Sequence, residues 1–307
     1  LSRYSDVTNV FFMFFVWIDN LNCKPYLLQN PGCMATDHLQ KEYYQEVASY
    51  YDEDARDFEQ RYEENPVLQR IRNAFREITE EVPFESALEI GCGPGFDVEY
   101  FASKYPDREV YAIDISPRMV ELAQKRCAER NLDNAHFAAG SVEDIPELFP
   151  ARQFDLIFVY FGGLNTVYDL REAARHIRRY CPPDARLVLT FVNRFYLTEI
   201  PLWLVKGRFG KAFQRITNRW KGYSDLREIP SRPCSAGDIR RAFGADFDIV
   251  GKRGFSLFYP AWYRSHLLPK LGSKAESLWN LDRFLSRTPF WNIGEYSLYE
   301  MRVKGET

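Results

Sequence analysis

Two acids and a run of glycines carry the strongest chemical signal in the chain. In ALEIGCGPGFD (87–97) a short apolar run containing Glu89 opens into Gly91, Gly93 and Gly95, and FDVEYFASKY follows at helical spacing. That order reads as strand, tight turn and helix start. Such a turn brings backbone N–H groups and a helix N-terminus close to an anionic group of a ligand. Asp114 closes the next apolar run, in VYAIDIS, 23 residues beyond Gly91. This is close to the spacing at which an acid at the tip of a second strand accepts hydrogen bonds from ribose hydroxyls. Glu89 adds a negative charge suited to a cationic or amino end of the same ligand. The competing structural reading makes Glu89 a rim charge and leaves Asp114 simply ahead of the helix SPRMVELA, which Ser116 and Pro117 cap and start.

Residues so placed need strands that all point one way. Short apolar runs alternate with helical stretches from ALEIG through EVYAID, SPRMVELAQKRCAERN, AHFAA, FDLIFVY and DLREAARHIRRY to ARLVLTFV. The alternation predicts βαβ units, a parallel sheet and helices on both faces. Ahead of it, Leu39 to Val82 is charged and aromatic with helical periodicity and fits two or three helices. After Val192 the alternation breaks into an irregular stretch to about 234; a helix and strand return, and a second irregular stretch, about 256–293, precedes the closing strand GEYSLYEMRVK. Both read as insertions in one domain.

With 307 residues and 46% hydrophobic content the chain can bury a sizeable core. Its net charge of −3 offers no general attraction for phosphates, so no nucleic-acid partner is expected. Cys23, Cys33, Cys92, Cys127, Cys181 and Cys234 form no CxxC pair and have no histidine at ligand spacing, which points to a reducing compartment, the cytoplasm, and to no metal. NVFFMFFVWI near the start is far short of the roughly 20 apolar residues of a bilayer span, and its flanks do not suit a secretion signal. MATDHLQKEYYQEV at Met34 reads as a natural opening. Residues 1–33 are therefore expected to be a start-site extension, and 1–38 to precede the domain.

The motifs together resemble the class I S-adenosylmethionine-dependent methyltransferases. That family's acidic-x-Gly-x-Gly-x-Gly motif is matched by EIGCGPG (89–95), its ribose-binding acid by Asp114, and its Gly-Asp-x-x-x-Leu-Pro segment by GSVEDIP (140–146), with Ser141 where aspartate is common. FDLIFVYFGGLNTV is similar to the family's fourth strand. HIRRYCPPDARLVLTF stands where Leu-Lys-Pro-Gly-Gly usually precedes the fifth, with Pro183 and Asp184 in place of the glycines. The likeness covers 45–193 well and 235–303 more loosely, and the insertions do not share in it.

The resemblance implies an α/β, doubly wound, Rossmann-like sheet of seven mostly parallel strands with N-terminal helices and two insertions. It implies a methyltransferase domain over 39–307, with a helical cap over 39–82, a cofactor-binding core over 83–192, and acceptor-side insertions over 193–234 and 256–293. S-adenosyl-L-methionine is the expected cofactor and S-adenosyl-L-homocysteine the product. Glu89, Gly91, Cys92, Gly93, Gly95, Asp114, Ile115, Ser141, Val142, Glu143 and Tyr160 are the expected cofactor contacts. Nicotinamide binding does not fit, because the third glycine of Gly-x-Gly-x-x-Gly would fall on Phe96.

The acceptor is less legible. Strand four ends in VYFGGLN rather than the Asn/Asp-Pro-Pro-Tyr/Phe of enzymes acting on exocyclic amino groups. Tyr160, Phe161 and Asn165 offer an aromatic and amide floor instead. ASYYDEDARDFEQRY resembles the segment that folds over the cofactor in small-molecule members, making Tyr51 and Tyr62 candidate pocket residues, although Tyr51, Ala55, Phe58 and Tyr62 also form a plain packing stripe. No catalytic base stands out.

From Ile200 to Ser224 there are six bases (Lys206, Arg208, Lys211, Arg215, Arg219 and Lys221) and no acid, with apolar residues interleaved at roughly helical intervals. This suits an anionic or lipid-like acceptor or a membrane surface, and equally a solvated amphipathic helix. The expected partner is a small hydrophobic or anionic molecule such as a lipid, quinone or secondary metabolite. An RNA or protein methyltransferase and a non-catalytic cofactor-binding protein are the alternatives, and the oligomeric state is not readable.

Overall fold

The computed structural model describes residues 33–217, 219–220, 222–223 and 228–305. The chain divides into two units, residues 1–40 and 41–307. Of the first unit only the opening of a helix is described, so the extension expected over 1–38 and its apolar run lie almost wholly outside the described residues.

The helices start where side-chain caps allow. Helix α1 runs Cys33–Glu63, and α2 follows over Pro66–Thr79 with Asn65 as its cap, the Asn65 side chain accepting from the Val67 and Leu68 amides at 3.1 Å. These two helices are in keeping with the two or three read between Leu39 and Val82. The sheet then begins with β1 (Ser86–Ile90), α3 (Phe96–Lys104), β2 (Glu109–Asp114) and α4 (Pro117–Ala128). Ser116 caps α4, its Oγ accepting from the Met119 amide at 3.1 Å, with Pro117 in the first turn. Strands β3 (Ala135–Ala139) and β4 (Leu156–Val159), helix α5 (Leu170–Arg179) and strand β5 (Arg186–Val192) complete the parallel part.

The first insertion holds α6 (Glu199–Val205) and a single turn at Phe209–Ala212. Then come α7 (Ala236–Phe243), β6 (Phe247–Phe255), α8 (Lys274–Leu285) within the second insertion, and β7 (Tyr296–Val303).

The seven strands lie in the order β3-β2-β1-β4-β5-β7-β6. Neighbours from β3 to β5 are parallel, and β7 runs antiparallel to both β5 and β6. The mostly parallel, doubly wound sheet is thus the one expected. Its central strands are buried on both faces: in β4, Leu156 and Phe158 join the core packed by α2, α3 and α4, while Ile157 and Val159 join the core packed by α5 and α7. Strand order reverses between β1 and β4, the crevice position for ligands in such sheets. Because β7 is antiparallel, Tyr296 at its start pairs with Val192 at the end of β5, and both insertions open onto that same rim.

Candidate active site

A cavity of about 370 Å³ lies over this rim. Its first end is built from the glycine turn. The Gly91 and Cys92 amides donate to the Ile113 carbonyl at 2.8 and 3.1 Å, which ties the turn to the end of β2. Gly91, Gly93 and Gly95 all have positive φ (76°, 53° and 79°), a region that side chains with a Cβ rarely occupy. Gly93 lines the cavity, and a Cβ there would meet nothing within 4 Å. Gly95 does not line it. A Cβ at Gly95 would lie 2.7 Å from that of Ala123, so this glycine sets the close packing of α3 on α4. The Gly93 amide donates to Asp114 Oδ2 at 2.8 Å and the Ser116 amide to Oδ1 at 2.9 Å. Burial raises the Asp114 carboxyl to about 6, the two amides opposing and Asp52 adding a little.

Glu89 is 2% exposed, and its Oε2 has no hydrogen-bond partner. Burial pushes this carboxyl well above the usual range, Asp97 adds to the shift, and Arg72 and Arg76 oppose it. Asp97 is itself fully buried between the two arginines, paired with Arg72 Nη1 and, at 2.7 Å, with Arg76 Nε. The Arg72 guanidinium lines the cavity among the rings of Tyr62, Phe161 and Phe96, at 4.6, 4.8 and 5.2 Å. A neutral buried polar array with one carboxylate oxygen unclaimed fits the zwitterionic end of an amino-acid-bearing ligand.

Helix α1 crosses this end and is fastened there. Ser116 Oγ donates to Asp52 Oδ1 at 2.5 Å, and the Tyr44 hydroxyl to Glu143 Oε1 at 2.7 Å. Tyr50, Tyr51, Phe58 and Tyr62 of α1 all line the cavity.

Of the residues singled out from sequence, Glu89, Gly91, Cys92, Gly93, Asp114, Ile115, Ser141, Val142, Tyr160, Tyr51, Tyr62 and Phe161 line the one cavity. Three do not. Gly95 packs helices, as above. Glu143 turns its carboxylate to Tyr44 rather than framing the cavity. Asn165 is a clamp, not a pocket floor: its Oδ1 accepts from the Val192 amide at 2.9 Å and its Nδ2 donates to the Arg232 carbonyl at 2.5 Å, joining β4's loop to β5 and the first insertion.

Phe161 sits at φ +50°, a strained conformation for a bulky residue, held just ahead of Gly162 at φ +78°. Arg72, Arg76 and Asp97 were not singled out from sequence. Asp97 closes the quoted glycine stretch, but nothing local shows that arginines of α2 reach it.

The second end is aromatic. Phe161, Val192, Trp220, Tyr223, Ile229, Trp262 and Tyr296 line it, with the Arg72 guanidinium 4.8 Å from the Phe161 ring; among the described residues the charged lining side chains all come from α1, α2, the start of α3 and the ends of β1 and β2. Trp220 and Tyr223 come from the first insertion and Trp262 from the second. Of the basic stretch, which suited an anionic acceptor, a membrane surface or a solvated amphipathic helix, the described residues form helix only at Glu199–Val205 and Phe209–Ala212; the chain turns at Gly207 (φ +67°) and Arg215 is buried in ion pairs rather than exposed.

Residues 87–184 match the methyltransferase domain family. A malonyl-[acyl-carrier protein] O-methyltransferase of Priestia megaterium is 34% identical over 111 residues, 34% of this chain and 36% of that protein. A demethylmenaquinone methyltransferase of Geobacillus sp. is 25% identical over 173 residues, 54% of this chain and 73% of that protein. The match thus spans little more than a third of the first relative's length. A solved S-adenosylmethionine-dependent methyltransferase from Clostridium acetobutylicum superposes with a TM-score of 0.50 at 13% identity, over 75% of this chain and 88% of its own.

Proposed function

The chain belongs to the class I S-adenosylmethionine-dependent methyltransferases, and on that footing we propose that it transfers the cofactor's methyl group to a small hydrophobic acceptor held among the aromatic residues of the second end. The observation that carries this reading is the continuity of one cavity from the glycine turn and Asp114 to Trp220, Tyr223, Trp262 and Tyr296.

In it, Asp114 accepts from the ribose hydroxyls, Val142 and Ser141 border the adenine, and Glu89 and Arg72 face the amino-acid end. The bound cofactor supplies an electrophilic methyl on sulfur; the protein's part is to orient the acceptor and exclude water. Residues 39–82 act as the cap, 83–192 as the cofactor-binding core, and 193–234 and 256–293 as the acceptor side.

A lipid, quinone or secondary metabolite suits an uncharged aromatic chamber better than an anionic one does. The two relatives are named for a malonyl group on an acyl-carrier protein and for demethylmenaquinone, and the second is in keeping with a small hydrophobic acceptor.

Peripheral contact of 200–224 with a membrane on its cytoplasmic side goes with this. Leu202, Val205, Phe209 and Phe213 are exposed, Val205 at 90% and Phe209 at 65%. Lys206, Arg208 and Lys211 gather around Trp203 beside them, within 5.7 Å of its ring. No helix among the described residues is long and apolar enough to cross a membrane.

The test is transfer of labelled methyl from S-adenosylmethionine into a cell extract. Label should enter the solvent-extractable fraction and vanish with the Gly93→Val variant; label confined to RNA or protein would reject the acceptor class.

A further inference from the structure

Behind the aromatic end lies a buried ionic cluster that cofactor binding does not use. Arg215 donates Nε to Glu199 Oε2 at 3.0 Å and Nη2 to both oxygens of Glu295 at 3.1 Å. Glu295 is fully buried immediately before β7, at the rim where the acceptor end of the cavity lies. Tyr223, a cavity-lining residue, donates its hydroxyl to Glu295 Oε1. That hydroxyl is 3.4 Å from the hydroxyl of Tyr296, which also lines the cavity. A chain of polar groups therefore runs from the cavity wall to a carboxylate behind it.

The burial of the cluster suits Glu295 to receiving a proton. Two carboxylates share one guanidinium, and Arg264 reaches Glu199 only at 3.8 Å. Tyr263 lies 3.3 Å from Glu199 and 3.4 Å from Glu295, and Trp203 Nε1 donates to Glu199 Oε1 at 3.1 Å. Among the described residues the groups facing Glu295 are thus Arg215, Glu199, Tyr223, Tyr263 and Tyr296, and with Arg264 at Glu199 the two carboxylates are matched by two guanidinium groups. Burial raises the Glu295 carboxyl above its ordinary value; Arg215 opposes and Glu199 adds. A carboxylate in that state is a stronger proton acceptor than one at the surface.

We propose that Tyr223 and Glu295 are the proton relay of the acceptor site, and that the acceptor presents a phenolic hydroxyl on an uncharged planar framework. This rests on the methyl-transfer reading above. The planar framework follows from the walls: Tyr223 meets Trp262 and Trp220 edge to face at 5.1 and 5.0 Å, Phe161 meets Tyr296 at 5.7 Å, and among the described residues no charged side chain lines the cavity beyond Phe161, where Arg72 lies. The hydroxyl follows from the relay. A neutral amine can attack a sulfonium methyl without a base, whereas a phenol, ionising near about 10 like the tyrosine side chain, is almost entirely protonated at neutral pH.

In the step, the acceptor oxygen bonds to the methyl carbon as the carbon–sulfur pair withdraws onto sulfur. The acceptor's proton passes to the Tyr223 oxygen while the Tyr223 proton passes to Glu295. Glu295 returns that proton to solvent after product leaves.

The experiment compares phenols of graded acidity as acceptors for the full chain, with 2-naphthol as the weakly acidic probe and 4-nitrophenol as the acidic one. The parent should methylate both at similar kcat near neutral pH. Tyr223→Phe should lose about 100-fold or more in kcat on 2-naphthol, the usual scale of lost acid–base catalysis. It should lose little on 4-nitrophenol, and its 2-naphthol rate should climb with pH where the parent's is level. Affinity for S-adenosylhomocysteine, measured by calorimetry, should be unchanged. Glu295→Gln should behave alike.

If either variant fails to fold, the parent's own series decides: a level rate across the phenols supports the relay, and a rate that tracks the ionised fraction of each overturns it. Equal losses on both phenols, or no loss, also overturn it. A parent that methylates extract components but no phenol overturns the relay and leaves the proposed function standing. A parent that does not bind S-adenosylhomocysteine removes both.

Discussion

The Gly93 amide donates to Asp114 Oδ2 at 2.8 Å, so the glycine turn and the tip of the second strand hold each other in place without any ligand. The second oxygen is held in the same way by the Ser116 amide at 2.9 Å. Each oxygen keeps a lone pair for a ribose hydroxyl, and the carboxylate enters binding already oriented.

This arrangement gives a pH dependence with a definite sign. Asp114 titrates at about 6 in the folded chain against 3.8 in the unfolded one, so the folded state holds the extra proton between those values. Its contribution to stability is therefore fully present below about pH 4 and is lost as pH rises through about 6. Cofactor binding runs the other way, because hydroxyls donate to the ionised form. Affinity for S-adenosylhomocysteine should be level above about pH 7 and fall up to about tenfold per unit below about pH 6. Asp114→Asn should bind weakly with no such slope; a parental slope surviving in that variant would assign the titration to another group.

Gly93 in the middle of the turn and Gly95 at its end should fail differently. At Gly93 a side chain has room but a positive φ, so Gly93→Val should cost about 1–2 kcal/mol of stability and stay folded while losing detectable cofactor binding. At Gly95 even a methyl group meets Ala123, so Gly95→Ala should add about 1–3 kcal/mol of overpacking to the φ cost. Thermal melts and calorimetric titration of both variants separate the roles. Equal stability losses would show that the turn does not divide them.

The basic stretch divides in a similar way. Lys206→Gln, Arg208→Gln and Lys211→Gln together should change stability by about 0.5 kcal/mol per site or less. At about 1 kcal/mol per cation near an anionic surface, the triple variant should bind vesicles rich in anionic lipid about 100-fold more weakly, a difference that shrinks with salt. Arg215→Gln breaks a buried pair and should cost about 3–5 kcal/mol. Unchanged pelleting of the triple variant at low salt would remove the membrane contact.

How much of this was legible follows from where each signal is stored. The turn, the alternation of strands and helices and Asp114 could be read because backbone demands on glycine and the βα periodicity are local in sequence. Ser116 and Pro117 announced α4 for the same reason. Arg215 read as one more cation of a solvated or docking face because its partner Glu295 lies 80 residues away. Asn165 read as a pocket amide because a buried clamp and a ligand contact use the same side chain, and only the positions of Val192 and Arg232 tell them apart. Arg72 and Asp97 were passed over for the complementary reason: their pairing depends on how α2 packs over the glycine turn, which no spacing encodes.

The most direct test of the account is a calorimetric titration of S-adenosylhomocysteine into the parent and into Asp114→Ala. Removing the carboxylate takes away hydrogen bonds from two hydroxyls to a charged group, worth roughly 1.5–3 kcal/mol, so the account predicts saturable binding to the parent and about 10- to 100-fold weaker binding to the variant. Equal affinity in the two proteins, with both folded, would contradict it, as would a parent that does not bind at all.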